Sequence, residues 1–187
     1  MNWELLTVAL MALVSFFWTP HDVINLTVGS GKQKRLTGDF NWVTGEDAAF
    51  RLNAMTHQAD NWGAKVDKKG IAPTFRWGIG HRDEFSVGLY HLETNGRPLY
   101  NHPWFIQNGV IVPTLPAQNY HGLASDYLRT ESTYGTFTHK HRFDHDTELL
   151  TRVRHGRYER DLLASVIRFG TTGGAPTTID NLGPDTI

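Results

Sequence analysis

Ile71-Ala72-Pro73-Thr74-Phe75-Arg76-Trp77-Gly78-Ile79-Gly80 sets Ile71, Pro73, Phe75, Trp77 and Ile79 on one side of the chain, with Thr74, Arg76 and Gly78 on the other. A period of two is the signature of a β-strand, whose successive Cβ atoms point to opposite faces. The proline sits near the start of the run, where a missing N–H is tolerated. Working outward, His81-Arg82-Asp83-Glu84 reads as a short turn, after which Phe85, Val87 and Leu89 oppose Ser86, Gly88 and Tyr90. Upstream, 34–43 opposes Leu36, Gly38, Phe40 and Trp42 to Thr37, Asp39 and Asn41. The polar turn Thr44-Gly45-Glu46-Asp47 then leads into 48–58, which opposes Phe50, Leu52 and Ala54 to Arg51, Asn53 and Met55. Downstream, 127–143 opposes Gly135, Phe137, His139 and Phe143 to Thr136, Thr138, Lys140 and Arg142. After Asp144-His145-Asp146, the strand 147–160 opposes Leu149, Thr151 and Val153 to Arg152 and Arg154. The expectation is an all-β antiparallel meander of about seven or eight long strands.

Connections are expected to alternate short and long. The polar segment 60–70 (DNWGAKVDKKG) and an irregular stretch 95–125 are the long ones, and 29–33 is a brief exception. Strands of ten residues or more exceed the ~5–6 of soluble sandwiches and match the ~9–11 of tilted membrane strands. Short turns on one side and long loops on the other are also the habit of outer-membrane barrels. Arg51, Arg76, Lys140, Arg152 and Arg154 would then line a polar lumen. Alternation by itself fits equally a small soluble β-barrel holding an apolar or aromatic ligand, with Phe40, Trp42, Phe75 and Trp77 inside.

The composition narrows the function classes. Eighteen Lys and Arg against 19 Asp and Glu give a formal charge of −1, so no field recruits nucleic acid. The absence of cysteine removes disulfides, thiolate metal sites and cysteine nucleophiles. Eighteen Gly, 6 Trp, 6 Tyr and 10 Phe favour strands and turns. The one continuous apolar run, 5–18 (LLTVALMALVSFFW), has no Lys or Arg before it and no small-residue cleavage site after it. Residues 1–22 are therefore an apolar leader with three open readings: a secretory signal, a short buried or interfacial helix, or an aberrant junction.

An ordered series of segments carries a resemblance. It runs through Leu26-Thr27-Val28-Gly29-Ser30, Ala48-Ala49-Phe50-Arg51-Leu52-Asn53-Ala54-Met55, Gly70-Ile71-Ala72-Pro73 and Tyr90-His91-Leu92-Glu93. It continues with Pro98-Leu99-Tyr100-Asn101-His102-Pro103-Trp104-Phe105, Gly122-Leu123, Asp126-Tyr127, His141-Arg142-Phe143 and Arg157-Tyr158-Glu159-Arg160-Asp161. In order and spacing, 25–161 resembles the opening barrel strands of TonB-dependent siderophore receptors, above all their catecholate-type branch. The resemblance implies a segment of a transmembrane barrel of about 22 strands, in the cell outer membrane if a signal and a complete barrel were present. It also implies a ferric siderophore as transported ligand, energy delivered through TonB, and outer-membrane lipid around the wall. The plug, the TonB-contacting box and the later strands of that family have no counterpart in these segments. The chain is thus expected to be a fragment that does not function alone, or the product of a truncated reading frame. Its expected divisions are the leader 1–22, the partial barrel 23–170 and a truncated extracellular loop 171–187, cut before its return strand.

In such receptors, loops and lumen-facing aromatics and cations meet the ligand first, since ferric catecholates are anionic with flat aromatic faces. Here that points to Arg97, Tyr100, His102, Trp104, Phe105, Tyr120 and His121, with Trp62 a weaker candidate. The competing explanation is that Tyr100 and Trp104 pack the loop on itself or sit in an aromatic girdle at the membrane edge. His139 and His141 share a strand face, but no carboxylate alternates with them, so no metal site is expected. No cofactor is expected, because iron arrives already chelated. Gly78-Ile79-Gly80 and 170–176 (GTTGGAP) lack a phosphate-loop context, and neither a serine elbow nor an HExxH helix occurs, so an enzyme is not expected.

Overall fold

The computed structural model describes residues 8–11, 22–99, 104–113, 116, 118–169 and 179–186, and among them every regular element is a strand. The core of the architecture is a meander of seven long strands: β2 (Val23–Gly29), β3 (Gln33–Val43), β4 (Ala49–Asn61), β5 (Ala64–Trp77), β6 (Asp83–Gly96), β9 (Tyr127–Arg142) and β10 (Glu148–Phe169). Short strands β1 (Val8–Met11) and β11 (Ile179–Thr186) flank it, giving a nine-stranded antiparallel sheet in the order β1-β2-β3-β4-β5-β6-β9-β10-β11. A separate hairpin, β7 (Trp104–Gln107) with β8 (Val110–Pro113), lies within the long connection between β6 and β9.

The alternation read from the sequence is the alternation in the sheet. Register brings Phe40 opposite Leu52, Trp42 opposite Phe50, Phe50 opposite Phe75, Trp77 opposite Phe85 and Val87 opposite Phe137, so one apolar face runs unbroken from β3 to β10. Its rings form rows. Phe40 stacks on Trp42 and Trp42 on Phe50, at 5.8 and 5.6 Å between centroids. Phe75, Trp77 and Phe85 stack in turn at 5.7 and 5.4 Å. Such pairs contribute roughly 0.5–1.5 kcal/mol each beyond area burial. Arg51, Arg76, Lys140, Arg152 and Arg154 all fall on the opposite, polar face, as expected.

The described sheet does not close on itself, which overturns the expectation of a small closed barrel with aromatic contents. Trp42 and Phe75 are 41% and 36% exposed rather than enclosed. Among the described residues the edge of β10 is open along 148–162, and β11 pairs with its far end alone, from Leu163 to Phe169.

Four more readings are corrected. Segment 60–70 is no long loop: β4 and β5 are joined through Trp62 and Gly63 alone, both left-handed at φ 49° and 98°. Gly63 supplies that conformation without a Cβ penalty. Strand β5 ends at Trp77, so Gly78, Ile79 and Gly80 belong to the turn, with Gly78 and Gly80 at φ 70° and 84°. The segment expected as a loop cut before its return strand contains β11, antiparallel to β10. Within the leader, Val8–Met11 is a strand paired with β2, so these four residues are not helical; the rest of 1–21 lies outside the described residues.

Candidate functional site

The two ends of the sheet differ in their connections. At one end the turns 44–48, 78–82 and 143–147 each have five residues. The first two are bonded to each other, the Ile79 N–H donating to the Asp47 carbonyl at 2.9 Å, and Arg82 Nε of the second donates at 3.1 Å to the carbonyl of Arg142, the last residue of β9. At the other end stands the long connection 97–126.

On the polar face near the short turns, charges are paired. The carboxylate of Glu84, only 4% exposed, accepts from both Arg76 and Arg142. Arg51 grips Asp39 through two nitrogens at 2.8 and 2.5 Å, and Lys140 meets Glu148 at 2.6 Å. Further along the same face, Tyr90 stacks on Tyr134 at 4.6 Å, and the Arg154 guanidinium lies over the Tyr134 ring at 4.4 Å. Tyr158 flanks Tyr134 at 6.3 Å. Gly156 makes this cluster possible, since a Cβ there would come within 2.7 Å of the Tyr134 Cβ. Beside Tyr90 the polar face holds a shallow hollow of about 560 Å³, bordered by Arg35, Asp39, Asn53, Met55 and Lys68. The tyrosines and Arg154 combine flat π-faces with a cation, the pairing suited to an anionic aromatic ligand. Alternation in the sequence placed Arg154 and Tyr90 on this face but did not give the cluster, because Tyr90, Tyr134 and Tyr158 are brought together only by register across three strands.

The loop residues fare differently. Arg97 and Tyr120 are brought together, with the guanidinium 5.9 Å from the ring centroid. Both bind loop backbone: Arg97 Nη2 donates to the Ala124 carbonyl at 2.9 Å, and the Tyr120 hydroxyl to the Pro98 carbonyl at 3.1 Å. Burial pushes the Tyr120 hydroxyl above its ordinary pKa, with the negative charge of Asp126 adding to it. Asp126, 5% exposed, accepts from the Leu123 N–H at 3.0 Å, the Ser165 N–H at 3.1 Å and the Ser165 hydroxyl at 2.8 Å. His121 is half-buried beside them. Trp104 and Phe105 lie on β7, paired with Pro113 and Val112. Tyr100 and His102 fall outside the described residues. Trp62 is 54% exposed, at the tip of the β4–β5 turn rather than in a long loop.

Long antiparallel strands, one apolar face with stacked rings and one polar face with paired charges define a segment of a large β-barrel wall. In sequence, the chain is 26% identical over 168 residues to the catecholate siderophore receptor Fiu of Escherichia coli K12, covering 82% of the chain and 22% of the receptor. It is 29% identical over 138 residues to the "probable TonB-dependent receptor BfrD" of Bordetella pertussis, covering 70% and 19%. In structure, it superposes on the closed form of the ferric-catecholate import receptor Fiu with a TM-score of 0.71 at 22% identity, over 88% of this chain and 26% of that one. The siderophore receptor PiuA of Acinetobacter baumannii gives a TM-score of 0.65 at 20% identity, over 75% and 21%. No family model matches. The chain spans about a fifth of the length of the curated relatives it matches. By sequence and fold together it is similar to a stretch of TonB-dependent siderophore receptors, the resemblance that its own strand series carries.

Proposed function

We propose that the chain is a wall segment of an outer-membrane receptor for ferric siderophores of the catechol class, acting only within a complete barrel. The observation that carries this is the division of one seven-stranded meander into an apolar face edged by stacked rings and a polar face bearing Tyr90, Tyr134, Tyr158 and Arg154. Lipid would meet the first face and the ligand's route would run along the second, with the 97–126 loop at its rim. Arg97, Tyr120 and His121 would there hold the loop's shape, leaving ligand contact to the side chains around them. The TonB energy source is carried over from the family and belongs to the whole barrel.

The open edge of β10 supports the dependence on further strands. An unpaired N–H or C=O in hydrocarbon costs several kcal/mol, and only closure removes such edges. The 187-residue chain is expected to need detergent to remain monodisperse. It is also expected to restore no siderophore-dependent iron uptake when expressed alone in a receptor-deficient bacterium. A detergent-free monodisperse protein with a cooperative melt would overturn the membrane assignment. Heat-modifiable migration together with restored uptake would overturn the dependence on a complete barrel.

A further inference from the structure

The sheet places three metal-ligating side chains together on its apolar face, beside the short turns. His139 and His141 sit two apart on β9 and share that face, and Asp83, at the start of β6, is directly opposite His141 in register. Asp83 Oδ1 lies 2.8 Å from His139 Nε2 and 2.6 Å from His141 Nδ1, and one ligand atom from each residue falls within 4.8 Å of the others. The carboxylate that the sequence around the histidines lacks is thus supplied from 56 and 58 residues away.

We propose that Asp83, His139 and His141 form a site for a borderline divalent transition-metal ion such as Zn²⁺ or Cu²⁺. Two imidazoles and a carboxylate are the donor set those ions favour over the all-oxygen sets of Ca²⁺ and Mg²⁺. Both rings are held in place by neighbours: His139 stacks on Phe85 at 4.5 Å and 6°, and His141 meets Phe143 edge-on at 4.6 Å and 74°. The cations nearest along these strands are engaged on the opposite face, Arg76 and Arg142 with Glu84 and Lys140 with Glu148. The three side chains are 24–44% exposed and Asp83 borders the 78–82 turn, at the edge of the face that the proposed function gives to lipid, where water can complete the coordination sphere. Bonds of about 2.0–2.2 Å in tetrahedral geometry set donor atoms about 3.3–3.6 Å apart, so Asp83 need withdraw from each ring nitrogen by about 1 Å or less to admit an ion. The bound ion would clip β6 to β9.

The test uses the full 187-residue chain in detergent micelles. Zn²⁺ titration against a chromophoric chelator is expected to find one high-affinity ion per chain. Asp83→Asn, His139→Ala and His141→Ala should each weaken it about tenfold or more, while His57→Ala and His145→Ala leave it unchanged. Circular dichroism of each variant separates loss of ligand from loss of fold. Cu²⁺ electron paramagnetic resonance of the unmodified chain adds a readout that needs no variant, and should show coupling to two imidazole nitrogens. No stoichiometric binding, equal affinity in folded D83N, H139A and H141A, or a copper spectrum without nitrogen coupling would each overturn the site; Asp83 would then be only a hydrogen-bond acceptor between two rings.

Discussion

The short-turn end and the long-loop end of this sheet are built on the same ladder and obey different chemistry. Near the short turns, rings such as Trp77 and Phe85 hold one face, interrupted by Asp83, His139 and His141, and the Arg76–Glu84–Arg142 cluster holds the other. Toward the long loop, the face that was apolar turns polar. Its positions become Lys69, Glu93, Glu131 and Glu159, a row aligned across β5, β6, β9 and β10. Backbone hydrogen bonds sustain the strands there without apolar side chains, so β9 reaches 16 residues and β10 reaches 22, well past the ~9–11 a membrane crossing needs. The difference teaches that the apolar face is shorter than the sheet that carries it: alternation marks its extent, while the ladder alone marks the extent of the strand.

The largest expected effect tests the short-turn end. Glu84→Ala leaves two guanidiniums facing each other across a site whose carboxylate is 4% exposed. Breaking a buried pair costs about 3–5 kcal/mol, and since Arg76 and Arg142 are 50% and 36% exposed they relax toward water, so a loss of about 2 kcal/mol is expected. Denaturant midpoints in detergent micelles measure it. Asp39→Ala, which frees an Arg51 side chain that is already 55% exposed, should cost no more than about 1 kcal/mol. Equal losses would show that burial does not distinguish the two pairs.

The same contrast explains what the sequence made legible. The meander, its faces and the cations of its polar face could be read from 34–58, 71–90 and 127–160 because apolar and polar side chains alternate there. At 64–70 and at Gly96 the alternation fails while the ladder continues, so a polar strand looks like a loop. The β7–β8 hairpin had a local signal, Asn108-Gly109, left-handed at φ 52° and 78° between Ile106 and Val110. Trp62 in the same left-handed role at the β4–β5 turn had none, since a bulky residue seldom adopts it. The tyrosine cluster and the Asp83–His139–His141 group depend on register between strands far apart in sequence, which local periodicity does not encode. Of the loop residues expected to meet a ligand, Arg97 and Tyr120 lie together and bond to loop carbonyls, an arrangement that follows from the loop's fold and not from residue type.

A smaller effect separates loop docking from backbone strain. The long loop rests on the β4–β5 turn, where a Cβ added to Gly63 would come within 2.7 Å of the Tyr120 ring and where Arg97 Nη1 donates to the Gly63 carbonyl at 3.4 Å. Gly63→Ala therefore combines left-handed strain of about 1–2 kcal/mol with a collision that lifts the loop. Gly80→Ala, at φ 84° with nothing within 4 Å, carries the strain alone. Hydrogen exchange should accelerate across 118–126 in the first variant and not in the second. Acceleration in both, or in neither, would mean that the loop is not seated on this turn.

The smallest effect lies in the turn between β9 and β10 and appears only with pH. Asp144 Oδ1 accepts the N–H groups of Asp146 and Thr147, both at 2.9 Å, and the bond from Asp146 is the chief influence holding its carboxyl below the ordinary carboxylate range. A group with a depressed folded pKa contributes stability that is fully present above the unfolded value of ~3.9 and is lost as pH falls through the folded value. The turn should therefore fray in acid, seen as faster exchange of the Asp146 and Thr147 amides relative to strand amides of β9. In Asp144→Asn an uncharged oxygen can still accept these bonds, but nothing titrates, so the acid step should vanish while the turn persists. An acid step that survives in D144N would assign the titration to another group at the short-turn end, with Asp83 beside its two histidines the first to examine.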